Sequence, residues 1–153
     1  MRKSDKKTTP VLEKVDTSYL ESLIGYSARR ASLAIIEVFL ERMAVYGLKP
    51  VDFSVMSVIV HNPSVTSRQL CSALNILPPN LVGLIQSLEA RGLIERRPHP
   101  QDGRAVGLHP TQKGKVLMVE AEATATELEL SVRSGLTATQ AQSLVKLLQK
   151  IYS

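Results

Sequence analysis

The residues best equipped for chemistry in this 153-residue chain sit in one short stretch. Residues 91–104 carry Arg91, Arg96, Arg97 and Arg104 against Glu95 and Asp102, a net charge of +2. Inside this stretch, Pro98-His99-Pro100-Gln101-Asp102-Gly103-Arg104 is rich in turn formers. Guanidinium groups on an exposed turn suit phosphate, which they hold through paired N–H bonds. Arg2, Lys3, Lys6 and Lys7 with Asp5 give the first ten residues a further +3. These two segments hold the whole formal charge of +5, and the remainder is neutral. Charge placed this way fits an ordinary solvated hairpin or, beside a helix-turn-helix, a polyanionic partner such as double-stranded DNA.

Other chemistries are poorly served. Cys71 is the single cysteine, which excludes a disulfide scaffold and fits a reducing compartment. It stands between Leu70 and Leu74 on an apolar face with no resolving partner, the setting of a buried, inert thiol. His61, His99 and His109 fall on separate elements without zinc-type spacing, so no metal is expected. There is no glycine-rich phosphate loop and no Gly-x-Ser-x-Gly motif. Glu120/Glu122 and Glu127/Glu129 read as a solvated helix face. Neither enzymatic activity nor a cofactor is expected. Hydrophobic residues make up 44% and aromatics 4%, so a globular domain must build its core from aliphatic side chains. A charged N-terminus without a following apolar stretch, and no run near the roughly 18–20 apolar residues of a membrane span, suggest a soluble, cytoplasmic protein without a membrane partner.

The elements that must position the basic stretch follow from periodicity. Residues 1–16 are polar and broken by Pro10, a flexible basic arm; residues 17–153 read as one domain. From Ser18 to Tyr46, Leu20, Leu23, Ile24, Leu33, Ile36, Phe39, Leu40 and Met43 recur at helical spacing, closed by Gly47 and Pro50. A helix this long in a small domain suggests packing against a second chain. Val51–His61 is a short buried helix, and Thr66-Ser67-Arg68-Gln69 is a capping box opening another with Leu70, Cys71 and Leu74. After Asn75-Ile76-Leu77, Pro78-Pro79 starts a helix with the stripe Leu81, Leu84, Ile85, Leu88. Two short helices around a tight turn form a helix-turn-helix. Leu93–Arg97 and Ala105–His109 read as strands of a hairpin around the basic loop. Thr111 caps a long helix to about Arg133, and a second capping box, Thr137-Ala138-Thr139-Gln140, opens the last helix.

This order is mainly α with a small β component: a winged helix-turn-helix over about 51–110, flanked by dimerisation helices over about 18–46 and 111–152. Leu88-Glu89-Ala90-Arg91-Gly92-Leu93-Ile94-Glu95-Arg96, Asp102-Gly103-Arg104-Ala105 and Thr111-Gln112-Lys113-Gly114 resemble the corresponding motifs of the MarR family of transcriptional regulators. The resemblance extends from about Ser18 to Ile151. It implies a homodimer whose second short helix enters the major groove and whose hairpin follows the strand. On this reading the DNA contacts are Arg68, Pro79, Asn80, Gln86, Arg96, Arg97, His99, Asp102 and Arg104, with Asp102 bracing the wing by pairing with Arg104. Gly103 departs from the family, where a second arginine is common. The resemblance further implies a small aromatic or phenolic acid, or a derivative, as effector, with Tyr26, Arg29, Arg30, Phe53 and Met56 as its contacts.

The recognition helix departs from the family as well. Asn80, Gln86 and Ser87 are the polar side chains on Pro78–Leu88, which carries no charge. Asn and Gln pair with adenine, and apolar side chains meet thymine methyls. Sparse base readout, supplemented by DNA shape and phosphate contacts, is therefore expected. The expected function is a homodimeric repressor released from a pseudo-palindromic operator by the effector. The alternatives are a redox-responsive regulator acting through Cys71, and a winged-helix architectural or protein-interaction module without a ligand.

Overall fold

The computed structural model describes residues 15–132 and 135–153. The predicted basic arm lies outside them except for its last two residues, as does Arg133 at the predicted end of the long helix. The described residues fall into two compact units, divided after Ala34.

The first unit contains α1 (Ser18–Glu21) and the first part of α2 (Ile24–Met43). The single helix expected over Ser18–Tyr46 is thus interrupted at Ser22-Leu23 and finishes as a 3-10 turn, Ala44–Tyr46. Serine side chains supply the physical reason for the break. Ser22 Oγ donates to the Tyr19 carbonyl at 2.7 Å and Ser27 Oγ to the Glu21 carbonyl at 3.2 Å. Such side-chain bonds compete with the backbone ladder. The apolar period runs through the break unchanged, so periodicity alone does not reveal it.

The second unit is built on an aliphatic and methionine core. Met43, Val55, Met56, Ile59, Leu70, Leu81, Leu88, Leu93, Leu108 and Met118 are essentially inaccessible to solvent. Phe39 and Phe53 sit at its margin, edge to face with centroids 5.5 Å apart. Gly47 ends the 3-10 turn with φ +60°, a conformation that costs a side-chain-bearing residue. α3 (Pro50–His61) starts with proline in its first turn, and the Asp52 carboxylate accepts from the Lys49 N–H at 3.1 Å. α4 (Ser67–Leu74) opens with the predicted capping box. Gln69 N–H donates to Thr66 Oγ1 at 3.3 Å, and Thr66 N–H donates to Gln69 Oε1 at 2.9 Å. Asn75, in the left-handed conformation, turns the chain into α5 (Pro78–Ala90).

The hairpin pairs β1 (Ile94–His99) with β2 (Asp102–Pro110), antiparallel, with Arg96 opposite Leu108 and Pro98 opposite Val106. Both strands run further than expected, leaving Pro100-Gln101 as the connection. The turn-forming residues did not stop the strands because Pro98 is on an edge strand, where its missing N–H is tolerated. Val65 bridges to Leu108 and docks the hairpin on the α3–α4 connection. Gly107 makes this possible, since a Cβ there would lie 2.9 Å from the Ser64 backbone.

α6 (Gln112–Val132) leaves the hairpin through a tightly bonded corner. Thr111 Oγ1 donates to the Gly92 carbonyl at 2.7 Å and accepts from the Gly114 N–H at 3.0 Å. α7 (Ala138–Tyr152) starts with the second capping box, Gln140 N–H to Thr137 Oγ1 at 3.2 Å. Its Leu144, Val145, Leu147 and Ile151 are exposed. Among the described residues no single helix is long and apolar enough to cross a membrane.

Candidate nucleic-acid interface

α5 buries Leu81, Ile85 and Leu88 and turns Pro79, Asn80, Val82, Gly83, Gln86 and Ser87 to solvent. The exposed stripe begins at Leu77, 69% accessible, and includes Val82 at 53%. Arg68, at the start of α4, is exposed, and its guanidinium has no partner among the described residues. Cys71 is half-buried instead of fully enclosed. It lies with Arg68, Pro78 and Val82 along a cleft of about 320 Å³ between α4 and α5.

The four arginines of residues 91–104 divide sharply. Arg91 donates to the Gly47 carbonyl at 3.0 Å and the Tyr46 carbonyl at 2.8 Å, tying the base of α5 to the end of the 3-10 turn. Arg96 holds both Glu89 carboxylate oxygens, at 2.8 and 2.9 Å, joining β1 to α5. Arg97 pairs with Glu95, two residues earlier, through Nε at 2.9 Å. The Arg104 guanidinium alone among these four has no partner among the described residues. The expected Asp102–Arg104 pairing takes another form: Asp102 Oδ1 accepts from the Arg104 backbone N–H at 3.0 Å. The carboxylate therefore shapes the turn and leaves the Arg104 side chain unengaged. His99 is half-buried, with Nδ1 accepting from the Gln101 N–H at 3.2 Å.

Local pairing, invisible in a charge count, thus claims Arg91, Arg96 and Arg97. Glu89 is the residue that sequence reading missed. It precedes Arg96 by seven positions across a helix end and a strand start, a spacing with no regular period. The Arg96 hydrogen bonds, reinforced by its charge against some burial, hold the Glu89 carboxyl below the usual glutamate range. The same contact raises the Arg96 guanidinium. Because the folded pKa of Glu89 is lowered, the pair stabilises the fold above the ordinary glutamate value, about 4.3, and that contribution disappears as pH falls through the folded value. The Arg96 side chain is about half exposed, which limits the pair to about 0.5–1 kcal/mol. Urea unfolding should show Glu89→Gln less stable than the unsubstituted protein by that amount at pH 7. The gap should close near pH 3; an equal gap at both pH values would refute the assignment.

A correction concerns the carboxylates read as a solvated face. Glu122 accepts from Ser57 Oγ at 3.0 Å and pairs with His61 Nε2 at 2.9 Å, fastening α6 to α3. Glu127 pairs with Arg42 at 3.2 Å. Of the predicted effector contacts, Arg29 and Arg30 are exposed and Tyr26 half-buried on the first part of α2. Phe53 is half-buried beside Phe39, and Met56 is fully enclosed in the core. A shallow cavity of about 430 Å³ lies between the 3-10 turn and the first half of α6, lined by Tyr46, Lys113, Val116 and Glu120 among others. None of those five residues lines it.

A model of the MarR family matches residues 46–105. The transcriptional repressor CouR bound to a 23-mer DNA duplex is 32% identical, covering 92% of this chain and 100% of that one, with a TM-score of 0.85. The chain belongs to the MarR family. This places it among DNA-binding transcriptional regulators of winged-helix fold. CouR bound to p-coumaroyl-CoA is 31% identical over 90% of this chain and 97% of that one, with a TM-score of 0.81. A transcriptional regulatory protein for the hcr operon of Thauera aromatica is 25% identical, over 84% of this chain and 78% of that protein. In this MarR-family regulator, α4 and α5 are the helix-turn-helix and β1–β2 the wing.

Proposed function

We propose that this regulator is a homodimeric repressor of a pseudo-palindromic operator, released when an aromatic acid or its coenzyme A thioester binds. The near full-length similarity to a CouR bound to DNA carries the reading. The similarity to a CouR bound to p-coumaroyl-CoA supports the ligand class. Exposed Leu144, Leu147 and Ile151 on α7 supply apolar surface for a second copy. Two-fold symmetry would centre the half-sites about 10 bp apart, one turn of DNA. Arg68 and Arg104 would meet the DNA backbone, and Arg29 and Arg30 the acidic group of the effector. Release requires the effector to favour the DNA-incompetent arrangement of the dimer.

Fluorescence anisotropy of a labelled duplex from upstream of the regulator's own gene tests this. Adding p-coumaroyl-CoA or p-coumarate should raise the apparent Kd for DNA by roughly tenfold or more, within the usual range of coupling energies. Arg29→Ala or Arg30→Ala should blunt that response without changing DNA affinity in the absence of effector. DNA binding unaltered by either compound at saturation would refute the proposed ligand class.

A further inference from the structure

We infer that α5 reads thymine methyl groups, so that the half-site base pairs beneath it are A·T pairs. The inference rests on the DNA-binding reading above and adds its specificity. Guanine is normally recognised in the major groove by a cation that donates to its O6 and N7. Residues 78–88 hold no cation. The nearby arginines are committed elsewhere: Arg91 to backbone carbonyls and Arg96 to Glu89. Arg68 belongs to α4, the helix that crosses the phosphate backbone in a helix-turn-helix, so its role is independent of sequence.

What α5 does present is apolar. Leu77, at the N-cap of α5, and Val82, within it, are 69% and 53% accessible, at the helix that the architecture assigns to base edges. The thymine C5 methyl is the apolar group that the major groove offers them. Beside them, the Asn80 and Gln86 side-chain amides have no partner among the described residues. A carboxamide matches adenine N6 and N7, so one A·T pair satisfies both kinds of side chain. Gly83 follows Val82 on the exposed face, and a Cβ there would meet nothing within 4 Å. Its missing side chain lets the helix come close enough for the short Val82 to reach a methyl.

The test starts by selecting duplexes from a random-sequence library with the full-length protein. The best site is then resynthesised with deoxyuridine replacing thymidine, one position at a time, which removes only the methyl. The selected sites should carry A·T pairs where α5 lies. Each contacted methyl, when removed, should weaken binding about fourfold, the ~0.8 kcal/mol of one buried carbon at 1.4 kcal/mol per decade. Val82→Ala should lose affinity on the thymidine site and little on the deoxyuridine site, since the two changes delete one contact. Val82 is exposed, so the fold should tolerate the change. Fixed G·C pairs beneath α5, or equal binding of the deoxyuridine duplex, would overturn the inference while leaving DNA binding intact. Failure to enrich any sequence would overturn the DNA-binding reading as well.

Discussion

Gly114→Ala should destabilise this regulator by about 3 kcal/mol or more, enough to prevent accumulation of folded protein in a marginal background. A Cβ at this position would lie 2.0 Å from the Leu93 carbonyl oxygen and 3.0 Å from its carbon. No side chain can swing aside to relieve the clash, because the obstacle is backbone. That backbone is itself fixed: the Leu93 carbonyl accepts from the Thr111 N–H at 3.0 Å, and Leu93 is buried in the core. Helix propensity acts the other way, since alanine is better than glycine inside a helix by about 1 kcal/mol. The steric term is larger and sets the sign. Thermal unfolding of Gly114→Ala should show a midpoint roughly 6–12 °C lower, at about 2–4 °C per kcal/mol for a chain of this size. An unchanged or raised midpoint would mean that α6 does not approach the hairpin as described. Lys113, which donates to the Arg91 carbonyl at 2.8 Å, is part of the same corner.

That corner shows how far sequence reading reaches. Thr111-Gln112-Lys113-Gly114 is recognisable as a motif, yet the reason for the glycine requires knowing that α6 starts against Leu93. Both capping boxes were legible because their partners lie three residues apart, within the reach of local rules. The apolar stripe of α5 was legible for the same reason: Leu81, Ile85 and Leu88 repeat at the helical period and are all buried. The interruption at Ser22-Leu23 was not, since hydroxyl-to-carbonyl bonds leave no mark on an apolar period. Charge was the least legible feature. The +2 of residues 91–104 gave no sign that Arg91, Arg96 and Arg97 are held by carbonyls or carboxylates. Assigning a guanidinium to DNA or to the fold depends on distances across elements, and a net charge contains none.

The division of labour among the wing arginines has a measurable signature in salt dependence. Arg104→Ala should lower operator affinity by roughly sixtyfold at about 0.1 M salt and reduce the slope of log K against log salt by about 1.8 per dimer. Both figures follow if the proposed homodimer loses one phosphate contact per protomer, at about 0.9 in slope. The loss should be similar on operator and random DNA, because phosphate contacts carry no sequence information. Arg96→Ala should behave differently. Its guanidinium is bound bidentately by Glu89, so removing it deletes no counterion-displacing contact and the slope should stay the same. It also frees the Glu89 carboxylate at the base of α5 and loosens the link between recognition helix and wing. Affinity should therefore fall by a few-fold, on the operator more than on random DNA, at the roughly 0.5–1 kcal/mol of a solvated pair. Isothermal or anisotropy titrations at four or five salt concentrations separate the two outcomes. An equal drop in slope for both variants would place Arg96 on the phosphates and refute its assignment to the fold.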